Sequence, residues 1–163
     1  SIIMGNLPYN ISSQILVKIL RFKKWPPNFE NLIFMFQKEL GEKIIGKYSS
    51  LNYGRLSIIS NYRFNISKKF YVSPNCFIPR PKVNSVVIQF KPKKEDIKIR
   101  KIENLEKVTN VLFSNKRKMI NKNLKKLLNK DQISKVDFIN FECRPSELKP
   151  ELFYKIAQII EKN

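Results

Sequence analysis

Two short stretches of the chain carry side chains suited to holding a flat ring by its amine. The first is Gly5-Asn6-Leu7-Pro8-Tyr9-Asn10-Ile11-Ser12-Ser13, directly after the apolar Ile2-Ile3-Met4. Ile2 to Met4 read as the end of a buried strand, so Asn6 to Tyr9 stand at a strand tip. The Asn6 carboxamide oxygen and a main-chain carbonyl beside Pro8 offer two hydrogen-bond acceptors, and proline adds no competing N–H. Tyr9 supplies an aromatic face on which a base can stack. The exocyclic amine of adenine is a poor nucleophile because its lone pair is delocalised into the ring. Acceptors that hold its two hydrogens can turn that lone pair toward an incoming methyl group. Taken alone, the tetrapeptide also fits an ordinary strand-to-helix turn, with Asn and Pro as punctuation.

The second stretch runs from Val72 to Ser85 and places Pro74, Pro79 and Pro81 around Phe77 before opening into Val86-Val87-Ile88-Gln89-Phe90. Prolines remove part of a loop's ordering entropy in advance, so the loop is a stiff mount for one ring. Together the two stretches resemble the small-subunit (16S) ribosomal RNA adenine N6-dimethyltransferases, the family associated with kasugamycin sensitivity. They match its Asn-Leu-Pro-Tyr-Asn-Ile-Ser and Phe-x-Pro-x-Pro-Lys-Val-x-Ser motifs. The resemblance continues in family order through Gln37-Lys38-Glu39, Tyr53-Gly54-Arg55-Leu56-Ser57, Phe113-Ser114-Asn115-Lys116-Arg117-Lys118 and Arg144-Pro145-Ser146-Glu147-Leu148.

That resemblance implies an α/β fold: the C-terminal part of a Rossmann-like, S-adenosylmethionine-dependent methyltransferase sheet, then a small all-helical domain. It implies a target-base pocket of Asn6, Leu7, Pro8, Tyr9 and Phe77, with Asn6 also bordering S-adenosylmethionine. Phe77 would close over the side of the base opposite Tyr9. It further implies rRNA contacts by Lys116, Arg117 and Lys118; Arg55, Arg80 and Lys82 are further cations able to help at the pocket rim, or to serve as surface charges. The implied partner is small-subunit rRNA in an immature small ribosomal subunit, met by a monomer in the cytoplasm. One departure stands out. The chain has 4 glycines, none in a Gly-x-Gly loop, whereas the family's cofactor loop lies upstream of its Asn-Leu-Pro-Tyr motif. The expectation is a portion of a longer enzyme that binds the cofactor weakly and does not turn over alone. Two rival readings remain: a large-subunit rRNA adenine methyltransferase of the macrolide-resistance type, which shares both pocket motifs, and a non-catalytic ribosome-assembly module.

The elements that must position these groups follow from apolar periodicity. Ser12 or Ser13 is placed to cap a helix with Ile15, Leu16, Ile19 and Leu20 on one face. Leu32-Ile33-Phe34-Met35-Phe36 is a continuous apolar run, the pattern of a strand buried on both faces. A helix is predicted from about Lys38 to Ile45. Leu56 to Tyr62 fits helix or strand by pattern, and the resemblance favours helix. Alternating strands and helices predict a mostly parallel sheet over residues 1–93. Phe34, Phe36, Phe64 and Phe70 are expected in its core. After the polar linker Lys91 to Asp96, helical spacing of Val108, Val111, Leu112, Ile120, Leu124, Leu127 and Leu128, then Leu152 to Ile160, predicts a helical part over 94–163. Lys116 to Lys118 are placed at the start of a basic amphipathic helix.

The bulk numbers agree with a nucleic-acid partner. Lys+Arg 32 against Asp+Glu 13 gives +19 and a pI near 10.0. Such an excess favours a polyanion. Part of it is attributable to an A/T-rich coding sequence, since Lys, Asn and Ile are abundant together. Histidine is absent, which removes every histidine general base from this chain, and His 0 with Cys 2 argues against a zinc site. No apolar run approaches the roughly 18 residues of a membrane span, and no leader-like segment opens the sequence.

Overall fold

The computed structural model describes residues 1–162, so residue 163 of the expected helical part lies outside the described residues. The order is β1 (Ile2–Asn6), α1 (Ser12–Leu20), β2 (Asn31–Gln37), α2 (Lys38–Ile45), α3 (Arg55–Arg63), β3 (Phe64–Val72) and β4 (Ser85–Pro92). Four helices follow: α4 (Ile102–Leu112), α5 (Asn121–Leu127), α6 (Lys130–Ser134) and α7 (Pro150–Glu161). Among the described residues no helix is long and apolar enough to cross a membrane.

The strands form one sheet in the order β1-β2-β4-β3. Only β1 and β2 run parallel, and β4 is antiparallel to both of its neighbours. The sheet is therefore mixed rather than mostly parallel. The reason lies in the connections: α1 provides the crossover that a parallel pair needs, whereas β3 returns directly through the proline loop into β4, which forces a reversal. The ambiguous segment after Gly54 is the helix α3.

Burial along β2 alternates instead of covering both faces. Leu32, Phe34 and Phe36 are buried, while Ile33 and Met35 are half-buried. Only one face is covered, by α2 and α3. Gly41 lets α2 approach so closely that a Cβ there would collide with Val86. The covered face packs aromatic rings edge to face, Phe36 on Phe90 at 6.0 Å and Phe64 on Phe90 at 5.4 Å between centroids. The open face carries Met4, Ile33, Met35, Phe70 and Val87 around an apolar groove of about 780 Å³. Phe70 is 57% exposed there, so it is not a core residue as the composition suggested. Neither serine caps α1. Ser12 is buried, and its hydroxyl donates to the Tyr9 carbonyl at 3.3 Å.

In the helical part α4 packs against α7, with Leu105, Val108, Phe153, Ile156 and Ala157 buried. Lys116 to Lys118 do not begin a helix. They occupy a turn, because buried Ile120 is pinned by its N–H to the Cys143 carbonyl at 2.9 Å and α5 starts only at Asn121. Polar side chains stitch this part to the sheet. Arg21 reaches Glu106 with two hydrogen bonds of 2.9 and 2.8 Å. Arg63 is buried against Trp25 and bonds Glu95 and the carbonyls of Leu20 and Phe22. The Tyr53 hydroxyl donates to the Leu148 carbonyl at 2.6 Å, and Tyr154 donates to the Ile58 carbonyl at 3.2 Å.

Candidate functional site

Asn6 ends β1, and the chain then turns sharply, with the Ile11 N–H bonding the Pro8 carbonyl at 3.2 Å. The turn lets Tyr9 double back over the strand end. Across from it, Pro74–Cys76 forms a 3₁₀ turn whose Ser73 hydroxyl accepts from the Asn75 N–H at 3.2 Å. The Phe77 N–H is tied to the Pro74 carbonyl, which fixes where its ring leaves the loop. The outcome is a slot of about 310 Å³ lined by Asn6, Leu7, Pro8 and Tyr9 from the turn and by Phe77, Ile78, Pro79 and Pro81 from the proline loop. That volume is at the small end for ligand sites, which run from about 300 Å³ upward.

One side chain missed by the sequence reading ties the two walls together. Ser85 is fully buried, and its hydroxyl meets the Tyr9 hydroxyl at 3.2 Å across 76 positions of sequence. It closes the Phe-x-Pro-x-Pro-Lys-Val-x-Ser motif, yet nothing in the sequence links it to Tyr9. Acceptors in the slot can be separated by their partners. The Pro8 carbonyl is taken by Ile11, whereas the Leu7 carbonyl accepts no hydrogen bond among the described residues. Within the Asn6–Tyr9 turn, the Asn6 side chain and the Leu7 main chain are therefore acceptors left free for a ligand. Asn6 also lines the apolar groove, so one exposed carboxamide borders both cavities.

Of the expected rim cations, Lys82 lines a hollow beside the slot with Gln37, Lys38, Glu39, Val83 and Asn84. Arg80 is exposed in the proline loop, and Arg55 is exposed at the first position of α3; neither lines these cavities. The helical part has a separate cavity of about 640 Å³. Arg117, Lys118, Lys122, Lys126 and Arg144 line it, and no carboxylate does. Arg144 arrives from the segment before α7, an addition that local charge counting does not reveal. Lys116 is exposed nearby without lining the cavity. No cluster of three or more His, Cys, Asp or Glu able to hold a metal ion occurs among the described residues.

Comparison with known proteins gives a consistent set of matches. The family model described as "Ribosomal RNA adenine dimethylase" matches residues 1–162. "Ribosomal RNA small subunit methyltransferase A" of Pelagibacter ubique is 37% identical over 98% of this chain and 61% of its own length. The protein of the same name from Rhizobium johnstonii is 43% identical over 77% of this chain and 45% of its own length. The chain thus spans less than two thirds of these relatives. Among solved structures, a dimethyladenosine transferase from Plasmodium falciparum superposes with a TM-score of 0.81 at 24% identity, covering 99% of this chain and 67% of that one. The 23S rRNA methyltransferase ErmE superposes with a TM-score of 0.66 at 19% identity, covering 99% and 65%. At these identities the two structures speak for the Rossmann-like methyltransferase fold alone.

Proposed function

The chain belongs to the ribosomal RNA adenine dimethylase family, and from that premise we propose that the full-length protein dimethylates the N6 amines of adjacent adenines in a small-subunit rRNA hairpin. The observation that carries this reading is the meeting of Asn6, Leu7, Tyr9 and Phe77 in one slot, from segments far apart in sequence. An adenine between the rings of Tyr9 and Phe77 presents its amine to the Asn6 side-chain oxygen and the Leu7 carbonyl. Both hydrogens are then engaged, and the nitrogen lone pair is directed away from the ring. Holding reactants in line replaces a bimolecular encounter and supplies much of the rate enhancement. After transfer the amine is strongly acidic, and its proton passes to solvent or a carbonyl, so the absence of histidine is no obstacle. The base enters unstacked, either from a single strand or by extrusion.

S-adenosylmethionine is the methyl donor in this reading and supplies a sulfonium-activated methyl group when bound. The described residues fit it in part: Asn6 borders both the slot and the groove, while no glycine-rich loop is among them. The small-subunit names of the relatives support that target over a large-subunit one. In this reading residues 1–93 carry the chemistry and 94–163 dock rRNA through the basic cavity. The protein acts as a monomer on immature small subunits in the cytoplasm. Primer extension on small-subunit rRNA from cells expressing full-length Asn6→Ala tests the reading. Loss of the dimethyladenine stops with subunit binding retained is the expected result, and retained dimethylation overturns the assignment.

A further inference from the structure

Lys38, Tyr71 and Lys68 form a cluster that the slot does not use. Lys38 opens α2, while Lys68 and Tyr71 stand on the edge strand β3. The Lys68 ammonium lies 4.4 Å and the Lys38 ammonium 5.3 Å from the centroid of the Tyr71 ring, which is 44% exposed. Glu42 is the one carboxylate in contact, accepting from the Tyr71 hydroxyl at 3.2 Å and lying 4.0 Å from Lys38. Lys68 has no carboxylate partner among the described residues.

Edge strands carry lysines to discourage pairing with other chains. That accounts for Lys68 as a charge, but not for a helix lysine and a strand lysine converging on one ring. Lys38 moreover occupies the first turn of a helix, where the dipole disfavours a cation. Glu42 offsets Lys38 only at 4.0 Å and does not pair with Lys68, so an anion lying against both lysines would add stabilisation. The cluster also adjoins the slot. Lys38 lines the hollow that it shares with Lys82, whose neighbour Pro81 lines the slot. The Lys38 N–H donates to the Asn84 carbonyl at 2.9 Å, next to the Ser85 that holds Tyr9. Lys82, Lys38 and Lys68 therefore run outward from the slot, with Glu39 also lining the hollow between the first two.

We propose that Lys38, Tyr71 and Lys68 bind the phosphodiester backbone of the RNA strand flanking the target base, so that the strand leaves the slot over α2 and β3. This inference rests on the RNA-methylation reading above. The test compares the full-length protein with Lys38→Gln/Lys68→Gln, using a small-subunit rRNA hairpin with two adjacent loop adenines. Binding is followed against salt, and methyl transfer is followed separately. Each lost phosphate contact lowers the slope of log affinity against log salt by about 0.7–0.9. The double variant should thus lose between one and two units of slope and raise KM several-fold, with the loss falling on KM rather than kcat. Lys68→Gln alone should give roughly half the slope change. An unchanged slope and KM overturns the proposal, as does an equal fall in a Lys107→Gln/Lys130→Gln control on the helical part. If the parent protein binds the hairpin but transfers no methyl group, the catalytic reading fails, and the slope still decides the cluster.

Discussion

The aromatic slot and the basic cavity are built on opposite principles. The slot brings together the end of β1 and the proline loop, and a Tyr9–Ser85 hydrogen bond joins its two walls. The basic cavity draws most of its cations from one short stretch around α5 and adds only Arg144 from elsewhere. Stacking and lone-pair steering fail when atoms move by an ångström, so they need a stiff mount. Attraction between cations and phosphates reaches over a Debye length of about 8–10 Å, so exposed side chains on turns suffice. If the proposed function holds, chemistry and docking place different demands on the same chain, and each region is built in the way that one of those tasks requires.

Variants can break that comparison by hitting one region without the other. The largest effect is expected from Asn6→Ala in the full-length protein: methyl transfer should fall by about 100-fold or more in kcat, with the salt dependence of RNA binding unmoved. Next, Tyr9→Ala or Phe77→Ala should cost about 1–3 kcal/mol of base stacking, roughly 5–150-fold in KM for a hairpin substrate. A reversed ranking would place the rings, rather than the acceptors, at the centre of the site. Arg117→Gln with Arg144→Gln should instead flatten the salt dependence, by about 0.7–0.9 in slope per lost contact, while sparing kcat. If Arg144→Gln changes nothing, the cavity is only a solvated turn.

Smaller effects sharpen the contrast by testing the mounts. Gly41→Ala forces α2 off β4 against Val86, and should lower stability by about 1–3 kcal/mol in urea denaturation. Ser85→Ala leaves the Tyr9 hydroxyl without its partner and should cost about 1 kcal/mol, with activity falling more than RNA affinity. Alkaline pH probes the seam between the sheet and the helices. Burial raises the phenols of Tyr53, Tyr62 and Tyr154 above their ordinary range. The folded chain therefore holds those protons more tightly than the unfolded chain. Their contribution is fully present below about pH 10 and is lost as pH rises beyond it. Urea midpoints should hold steady from neutral pH to that point and then drop, with tyrosinate absorbance appearing on unfolding.

Much of this was legible beforehand, for reasons that differ by element. The helix α2 begins and ends where the apolar periodicity predicted, because its packing stripe is local. The continuous run in β2 misled in one respect: apolar residues announce that two faces can be buried, but not that both are covered within this chain. Lys116 to Lys118 read as a helix start because charge spacing carries no information about the buried Ile120 that delays α5. Phe70 read as core because ring type alone does not reveal which face of a strand it takes.

The sequence by itself determined the chemical character of one wall of the candidate site. Asn6, Leu7, Pro8 and Tyr9 are contiguous, and their donors, acceptors and ring are properties of residue type and local turn. It also determined the charge, which is a sum and does not depend on folding. Only the tertiary structure decided that Phe77 and Tyr9 line one slot, that Ser85 bonds the Tyr9 hydroxyl, that Arg144 joins the cations of α5, and that two lysines meet on Tyr71. These pairings span long stretches of chain. They are set by the register of β4 between β2 and β3 and by how closely α2 packs on the sheet, quantities that emerge only when the whole core is assembled.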